Sequence, residues 1–215
     1  MTSTDPERAL ILTYAPTAGR AALAALLALD DALAQLLRTT REPAIGQIRL
    51  AWWRERLEAL DAGPPPAEPV LRALAESGVP GASLAPIVDG WEVLIEERLD
   101  ARALTRFGEG RGALFVAAGA AMGAEGDPLV EAGQGWALAD LARHLGEAEE
   151  AEAARAMAGP LLQAATAARW GKGGRALGAM AHLARRDLAL APGEAPPIGA
   201  PSRVARLLWH RLTGR

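Results

Sequence analysis

Two adjacent aspartates inside an apolar stretch are the residues that most directly suggest metal chemistry. Asp30 and Asp31 interrupt a run of leucines and alanines between residues 18 and 38. Carboxylates can share one cation when they lie on one face of a helix, but adjacent helical residues point about 100° apart. The two side chains therefore cannot both serve one ion. We expect a structural role, in which one of them pairs with Arg20 or Arg38.

A second polar group lies within one helical turn. Asp140, Arg143 and His144 are three and four residues apart. A carboxylate at this spacing can orient an imidazole for acid–base catalysis, but the same spacing is also typical of pairs that stabilise helices. We favour the stabilising role. His182 and His210 are isolated in the sequence, and no pair of histidines falls at metal-ligand spacing with a third ligand nearby.

The segment 47–54 combines two tryptophans with arginines. Trp52 and Trp53 are predicted to anchor a core, because large aromatic side chains are usually buried. Arg49 and Arg56 lie two turns apart on one helix face, and guanidinium groups suit phosphate or carboxylate partners. Arginines also extend from buried helices to reach water. The segment alone therefore does not establish a binding site.

The elements that carry these residues are predicted to be helices. Residues that favour sheets are scarce, since aromatic residues make up 4% of the chain. Four glycines of segment 104–122, at positions 108, 110, 112 and 119, predict close helix packing. Apolar residues at helical spacing predict helices over 18–38, 44–60, 68–76, 84–99, 104–122, 129–145, 161–170 and 176–190, with a solvated helical surface over 147–155.

The length of the chain and the positions of its proline and glycine residues predict one all-α domain over residues 1–215. A single core can grow to about 250 residues. We expect a core over about 15–190, a Pro/Gly-rich linker over 191–201 and a terminal helix over 202–213. In the helix predicted over 44–60, the apolar residues at 45, 48, 52, 53, 57 and 60 are expected to form one buried stripe.

Composition excludes several classes of function. The 26 acidic and 23 basic residues give a formal charge of −3, which argues against a nucleic-acid partner. The absence of cysteine excludes disulfides, thiolate catalysis and zinc–thiolate sites. No signal peptide is recognised, and the apolar stretch 21–37 is interrupted by polar residues. We expect a soluble, cytoplasmic chain without a transmembrane helix, for which contact with a membrane surface stays open.

The sequence REPAIGQIRLAWWRERL, at residues 41–57 after Ala28-Leu29, resembles the start of squalene/phytoene synthase-family domains. The resemblance continues more weakly through residues 87–94, 107–123, 137–144 and 209–215. The doubled tryptophan, and the Glu-Pro before the glycine, are similar to a bacterial subgroup of the family. That subgroup in turn resembles the phytoene-synthase-like mitochondrial assembly factor of respiratory complex I.

The resemblance implies an α-helical bundle of the isoprenoid (trans-prenyl) synthase type, reduced in size because this chain is shorter than active members. Such members join two prenyl diphosphates, whose leaving groups are held by magnesium on two aspartate-rich helices. Carboxylate-bound metal neutralises the charge that develops when an allylic diphosphate ionises. The chemistry implied by the family therefore requires paired acids.

This sequence departs from the family pattern at both acidic motifs. The first motif places acids near positions 34, 35 and 38, where this chain has Ala34, Gln35 and Arg38. A shifted alignment places Asp30 or Asp31 first, but then Ala34 or Gln35 stands four residues on, so neither placement completes the pair. The second places an aspartate after an arginine, whereas here Arg143 is followed by His144. Two further positions, an aspartate and a tyrosine in the family, hold leucine at 94 and phenylalanine at 107. The loss of both pairs predicts loss of the magnesium site.

We therefore favour a non-catalytic scaffold or assembly factor, for a respiratory complex, whose cavity can still hold an isoprenoid or another lipid and which needs no cofactor. One alternative is an active, magnesium-dependent prenyltransferase. Its candidate metal-binding residues are Asp30, Asp31, Asp140 and Glu147, and its candidate substrate-binding residues are Arg49, Trp53, Arg54 and Arg143. Another alternative is a helical interaction module without a ligand.

Overall fold

The computed structural model describes residues 5–64, 67–95, 98–191 and 193–215. Over these ranges all regular structure is helical, which confirms the all-α prediction. The α-helices are α1 (Pro6–Leu12), α2 (Thr17–Thr39), α3 (Pro43–Glu58), α4 (Pro69–Ser77), α5 (Ala85–Glu92), α6 (Ala101–Met122), α7 (Leu129–Ala142), α8 (Ala148–Ala167), α9 (Arg175–Leu188) and α10 (Pro201–Thr213). Short 3-10 turns cover Gly81–Leu84 and Val93–Ile95.

Helix α2 has a fully buried face. Leu23, Leu26, Leu29 and Leu33 follow one another at helical spacing and have no exposed surface. The helix packs against α6 and α4, and α7 packs in turn against α6, α8 and α9. One continuous hydrophobic core runs from Ile11 of α1 to residue 207 of α10. Burial of this face, rather than helix propensity alone, holds α2 in place.

Glycines let the helices around α6 approach closely. A Cβ atom added to Gly110 would lie 2.5 Å from the Cα atom of Gly90 in α5. A Cβ atom added to Gly112 would lie 2.7 Å from the backbone nitrogen of Gln134 in α7. Real Cβ atoms essentially never come this close to backbone atoms. These contacts confirm that glycines of the predicted segment 104–122 mediate close helix packing.

The predicted buried stripe of α3 is wrong in part. Trp53 and Leu57 are buried, but Ile45, Ile48 and Trp52 are exposed. The inner face of the helix follows Gly46, Leu50, Trp53 and Leu57, at spacings of four, three and four residues. Apolar residues occur on both faces of α3, so their number alone did not identify the face that contacts the core.

Two helix boundaries also differ from prediction. Helix α8 is continuous from Ala148 to Ala167 and passes through Pro160, although separate elements were predicted on either side of it. Proline removes one backbone hydrogen bond, but Pro160 is exposed while Ala158 and Leu162 are buried, so packing of the inner face keeps the helix intact. The predicted helix over 84–99 ends instead at Glu92 and continues as a 3-10 turn.

Within the described ranges, no helix combines the length and the hydropathy needed to cross a bilayer. Helix α2 has 23 residues but carries polar residues along its length, including Asp30 and Asp31. The prediction that the chain has no transmembrane helix is therefore confirmed for the described residues.

Candidate functional site

A cavity of about 770 Å³ opens between α2, α5, α6, α7 and α9. The residues that line it are mostly apolar, and they also include arginines and carboxylates. A cavity of this size falls in the range of small-molecule sites. The apolar side chains that line it include Leu27, Leu94, Leu99, Phe107, Trp136, Met180 and Leu183.

The cavity wall contains a buried ion pair between Arg111 of α6 and Asp30 of α2. Arg111 Nε donates to Asp30 Oδ1 at 2.9 Å, and Arg111 Nη2 donates to Asp30 Oδ2 at 2.8 Å. Trp91 Nε1, from α5, also donates to Asp30 Oδ1 at 2.9 Å. The Asp30 carboxylate thus accepts three hydrogen bonds. Such parallel contacts give a guanidinium–carboxylate pair both strength and fixed geometry.

The same guanidinium also binds the carboxylate of α7. Arg111 Nη1 donates to Asp140 Oδ2 at 2.6 Å, so Arg111 connects acids of two helices that are distant in sequence. Burial would lower the pKa of Arg111, but the charges of Asp30 and Asp140 outweigh it and raise the pKa above its ordinary value. Burial would raise the pKa of Asp140, and the Arg111 charge reverses this and lowers it. Arg111 and Asp140 are therefore charged at neutral pH.

Aromatic rings surround the buried guanidinium. The Cζ atom of Arg111 lies 4.6 Å from the ring centre of Trp91 and 4.3 Å from that of Trp136. Phe107 lies next to Arg111 and meets Trp91 edge to face, with ring centres 5.8 Å apart. A weakly hydrated guanidinium gains cation–π attraction from such rings. The aromatic residues of α5, α6 and α7 thus make burial of this charge favourable.

Three further carboxylates of the cavity wall are also engaged in ion pairs. Arg203 of α10 donates from Nε and Nη2 to the two carboxylate oxygens of Glu7 at 2.8 Å each, and also binds Asp187. Asp31 accepts from Arg8 of α1 at 2.6 Å. These arginines bind α1 and α10 to α2 and α9 across the edge of the cavity. Glu7, Asp31 and Asp187 are therefore paired with fixed cations.

The side chains present do not fit a magnesium ion. Both oxygens of Asp30 accept hydrogen bonds from Arg111 or Trp91, and Asp140 Oδ2 accepts from Arg111. Within the ranges that the structure describes, no three carboxylate, imidazole or thiol side chains are grouped closely enough to hold a metal ion. Magnesium requires several oxygen ligands in octahedral geometry. A guanidinium occupies the position between the two acids instead.

The structure brings four of the sequence-predicted site residues to the cavity. Asp30, Asp31, Asp140 and Arg143 all line it, and Arg143 lies 3.7 Å from a carboxylate oxygen of Asp187. His144 Nδ1 lies 2.8 Å from the backbone oxygen of Asp140, while 3.6 Å separates it from the carboxylate. The imidazole of His144 is exposed at the rim.

The other four candidates lie elsewhere. Glu147 is the exposed residue before α8 and is not part of the cavity wall. Arg49 is exposed and donates to the Thr40 hydroxyl at 2.8 Å. Trp53 is buried in the core. Arg54 donates hydrogen bonds to the carboxylates of Asp89, at 2.7 Å, and Glu92, at 2.6 Å, both in α5. None of these four side chains lines the cavity wall.

Sequence reasoning missed the central residue. Arg111 was not among the candidates, and the predicted partners of Asp30, Arg20 and Arg38, are wrong. Arg20 instead donates to a backbone oxygen, and Arg38 donates to Gln35. One signal was available: Arg111 stands between two glycines in a closely packed helix, where a charge must be buried with a partner.

Comparison with known proteins now identifies the family. The squalene/phytoene synthase family model matches residues 1–155. The chain belongs to the squalene/phytoene synthase family. The match contains α2, α6 and α7, and therefore the whole Asp30–Arg111–Asp140 bridge, whereas α9 and α10 lie beyond it. The helical bundle agrees with the isoprenoid-synthase type of fold that this family implies. No curated protein and no solved structure matches the chain at a significant level.

Proposed function

We propose that this squalene/phytoene synthase-family protein no longer transfers prenyl groups and acts as a non-catalytic helical scaffold or assembly factor. One observation carries the proposal. Arg111 binds Asp30 and Asp140 at once, and these acids lie on the two helices, α2 and α7, where the family resemblance places the two aspartate-rich motifs. A fixed guanidinium thus neutralises the acids of these two helices that could otherwise bind metal ions.

The electrostatics of the reaction explain why this exchange matters. The family's chemistry requires divalent cations that bind the diphosphate as it leaves. In this chain the charge of Arg111 is instead paired with two carboxylates, and aromatic rings surround its guanidinium group. At the positions that the first motif would occupy, Ala34 and Arg38 line the cavity and supply no acid. The cavity therefore lacks acids at the positions where the family resemblance leads us to expect them.

The cavity remains suited to an apolar or amphiphilic ligand, and we propose an isoprenoid or another lipid. Its walls are mostly apolar, while Arg38, Arg41 and Arg143 also lie among its lining residues. Arginines at the rim can contact an anionic headgroup without a metal ion. Bound lipid would then support the scaffold or regulate its contacts. No step of covalent chemistry is required.

The partner proposed for the scaffold is a respiratory complex, and the place of action is the cytoplasmic side of a membrane. The support comes from the similarity of residues 41–57 to the bacterial subgroup that resembles the complex I assembly factor. Deleting the gene in its native host should lower complex I activity and the amount of assembled complex. Re-expression of the intact chain should restore both. An unaltered respiratory chain would contradict this part of the proposal.

The alternative function is active, magnesium-dependent prenyl transfer. It is favoured by one observation, that Asp30 and Asp140 face the same cavity. The test is to incubate the pure protein with magnesium and farnesyl or geranylgeranyl diphosphate and to measure released diphosphate, with an active family member as positive control. We expect no release above the protein-free rate. Release that is lost in Asp30→Asn and Asp140→Asn variants would establish the alternative.

Ligand binding separates the proposal from an interaction module without a ligand. Farnesol and farnesyl diphosphate, without metal, should quench the fluorescence of Trp91 and Trp136, which line the cavity. A Leu94→Trp variant fills the cavity and should weaken binding. The matched control is Ile48→Trp, since Ile48 is exposed on α3 and should leave binding unchanged. Absence of saturable binding would favour the ligand-free module.

A further inference from the structure

Helix α10 presents large apolar side chains on the face that points away from the core. Leu208, Trp209 and Leu212 retain 46%, 57% and 79% of their surface exposed. On the opposite face, Leu207 and His210 are fully buried. Soluble proteins leave single apolar residues exposed, but three on one face of a short helix mark a contact surface. This face lies outside the cavity described above.

Cations border this apolar face. Arg211 and Arg215 are exposed at the end of α10. The exposed Arg169 donates from Nε to the backbone oxygen of Thr213 at 3.3 Å, and Lys172 is exposed in the same segment, 168–174. No acid occurs in residues 168–186 or 195–215, although the whole chain has a charge of −3. The positive charge is therefore concentrated here.

The segment 168–174 is fixed against the end of α10. The backbone nitrogen of Trp170 donates to the backbone oxygen of Gly214 at 2.8 Å, and the ring of Trp170 is buried. The carboxylate nearest to this segment from another element is that of Asp127, which accepts from the backbone nitrogen of Gly171. The cations and the apolar residues therefore form one surface that needs little ordering on binding.

We propose that this surface binds membranes that contain anionic phospholipids. The surface, here called the basic–apolar patch, consists of Arg169, Lys172, Leu208, Trp209, Arg211, Leu212 and Arg215. Tryptophan and leucine side chains enter the boundary between headgroups and acyl chains, and arginines and lysines bind lipid phosphates. The patch brings both kinds of group together at the C-terminal end of α10. The proposal does not depend on whether the cavity has lost catalysis.

Charge complementarity selects the patch over the other exposed apolar face. On α3, Ile45, Ile48 and Trp52 are exposed as well. That helix also carries Glu55 and Glu58, and its arginines are accompanied by acids. An anionic surface would be attracted and repelled there in similar measure. The α3 face therefore serves as a matched internal control.

The test is flotation of the full-length protein with vesicles. One set contains only phosphatidylcholine, and the other contains phosphatidylcholine and phosphatidylglycerol in equal parts. We expect binding to the anionic vesicles, a blue shift of tryptophan emission, and weakening by added salt. The Arg211→Gln and Arg215→Gln variants should each bind about fivefold more weakly. The Leu212→Ser variant should lose about tenfold or more.

Circular dichroism and thermal unfolding should show that these variants keep the fold, because the changed side chains are exposed. The control variant Ile48→Ser should float with the vesicles as the parent protein does. Equal binding to neutral and anionic vesicles would overturn the proposal. The absence of binding to either kind of vesicle would overturn it as well. If, in that case, the Leu212→Ser variant lost self-association or the capture of an acidic protein, the patch would be a protein interface instead.

Discussion

Removal of the Arg111 side-chain charge should be the most damaging single change in the cavity. In an Arg111→Met variant, Asp30 keeps one hydrogen bond, from Trp91, but loses its cation in a buried environment. Removing one partner of a buried ion pair costs about 3–5 kcal/mol. The whole free energy of unfolding of a domain is only about 5–15 kcal/mol. We therefore expect Arg111→Met to lose about 3–5 kcal/mol of its free energy of unfolding.

The assay is urea unfolding followed by circular dichroism at neutral pH. The matched control is Arg54→Met, because Arg54 also binds two carboxylates, those of Asp89 and Glu92, but at a half-exposed site. Exposed ion pairs contribute about 0–1 kcal/mol. The difference between the Arg111 and Arg54 variants thus measures the effect of burial on a pair of otherwise similar arginines.

A double-variant cycle distinguishes the ion pair from simple loss of packing. The Asp30→Asn/Arg111→Met double variant carries no unpaired charge on α2, so its loss should fall short of the sum of the single losses by about 1–3 kcal/mol. Losses that add, or a loss below about 1 kcal/mol for Arg111→Met, would refute the role assigned to Arg111. Either result would mean that the guanidinium does not neutralise Asp30.

The other predictions concern packing and pH. A Gly110→Ala variant places a methyl group against the backbone of Gly90 and should lower the free energy of unfolding by about 1–3 kcal/mol or more. The control Gly159→Ala, where the added methyl group meets open space, should raise it by up to about 1 kcal/mol. Thermal unfolding would measure both effects, and equal effects would contradict the close packing at Gly110. Burial, helped by nearby arginines, lowers the pKa of His182 to about 3 and that of His210 to about 4. Because unfolded histidines titrate near pH 6.5, the unfolded chain binds protons first as the pH falls, and the free energy of unfolding should decrease between about pH 6.5 and pH 4, by up to about 1.4 kcal/mol per pH unit and histidine. Asparagine at both positions should flatten this slope, and a parent protein equally stable at pH 7 and pH 5 would contradict the assignment.

The sequence predicted the helices well where one apolar face is unambiguous. The segment 18–38 differs by one residue at each end from the observed α2, because its leucines keep helical spacing throughout. Prediction from the sequence failed where the local preferences of residues disagree with their packing. Pro160 ends a helix by local rules, yet the inner face of α8 continues through it. Apolar residues on both faces of α3 likewise hid which of them would remain exposed.

The candidate site could be predicted only in part. Asp30 and Asp140 stood out as acids in apolar segments, and both line the cavity. Their common partner, Arg111, is 81 residues from Asp30 and 29 from Asp140, so no local spacing reveals the bridge. The same holds for His182 and His210, which are isolated in sequence but whose rings lie 4.7 Å apart. Contacts of this kind follow from helix packing.

Binding of a divalent ion measures the central claim most directly. Manganese can replace magnesium at carboxylate sites, and the electron paramagnetic resonance signal of free Mn²⁺ disappears when the ion binds protein. Titration of the protein with Mn²⁺ at neutral pH should leave the free-ion signal unchanged, since Arg111 already neutralises Asp30 and Asp140. Stoichiometric, saturable binding that disappears in the Asp30→Asn and Asp140→Asn variants would contradict the account.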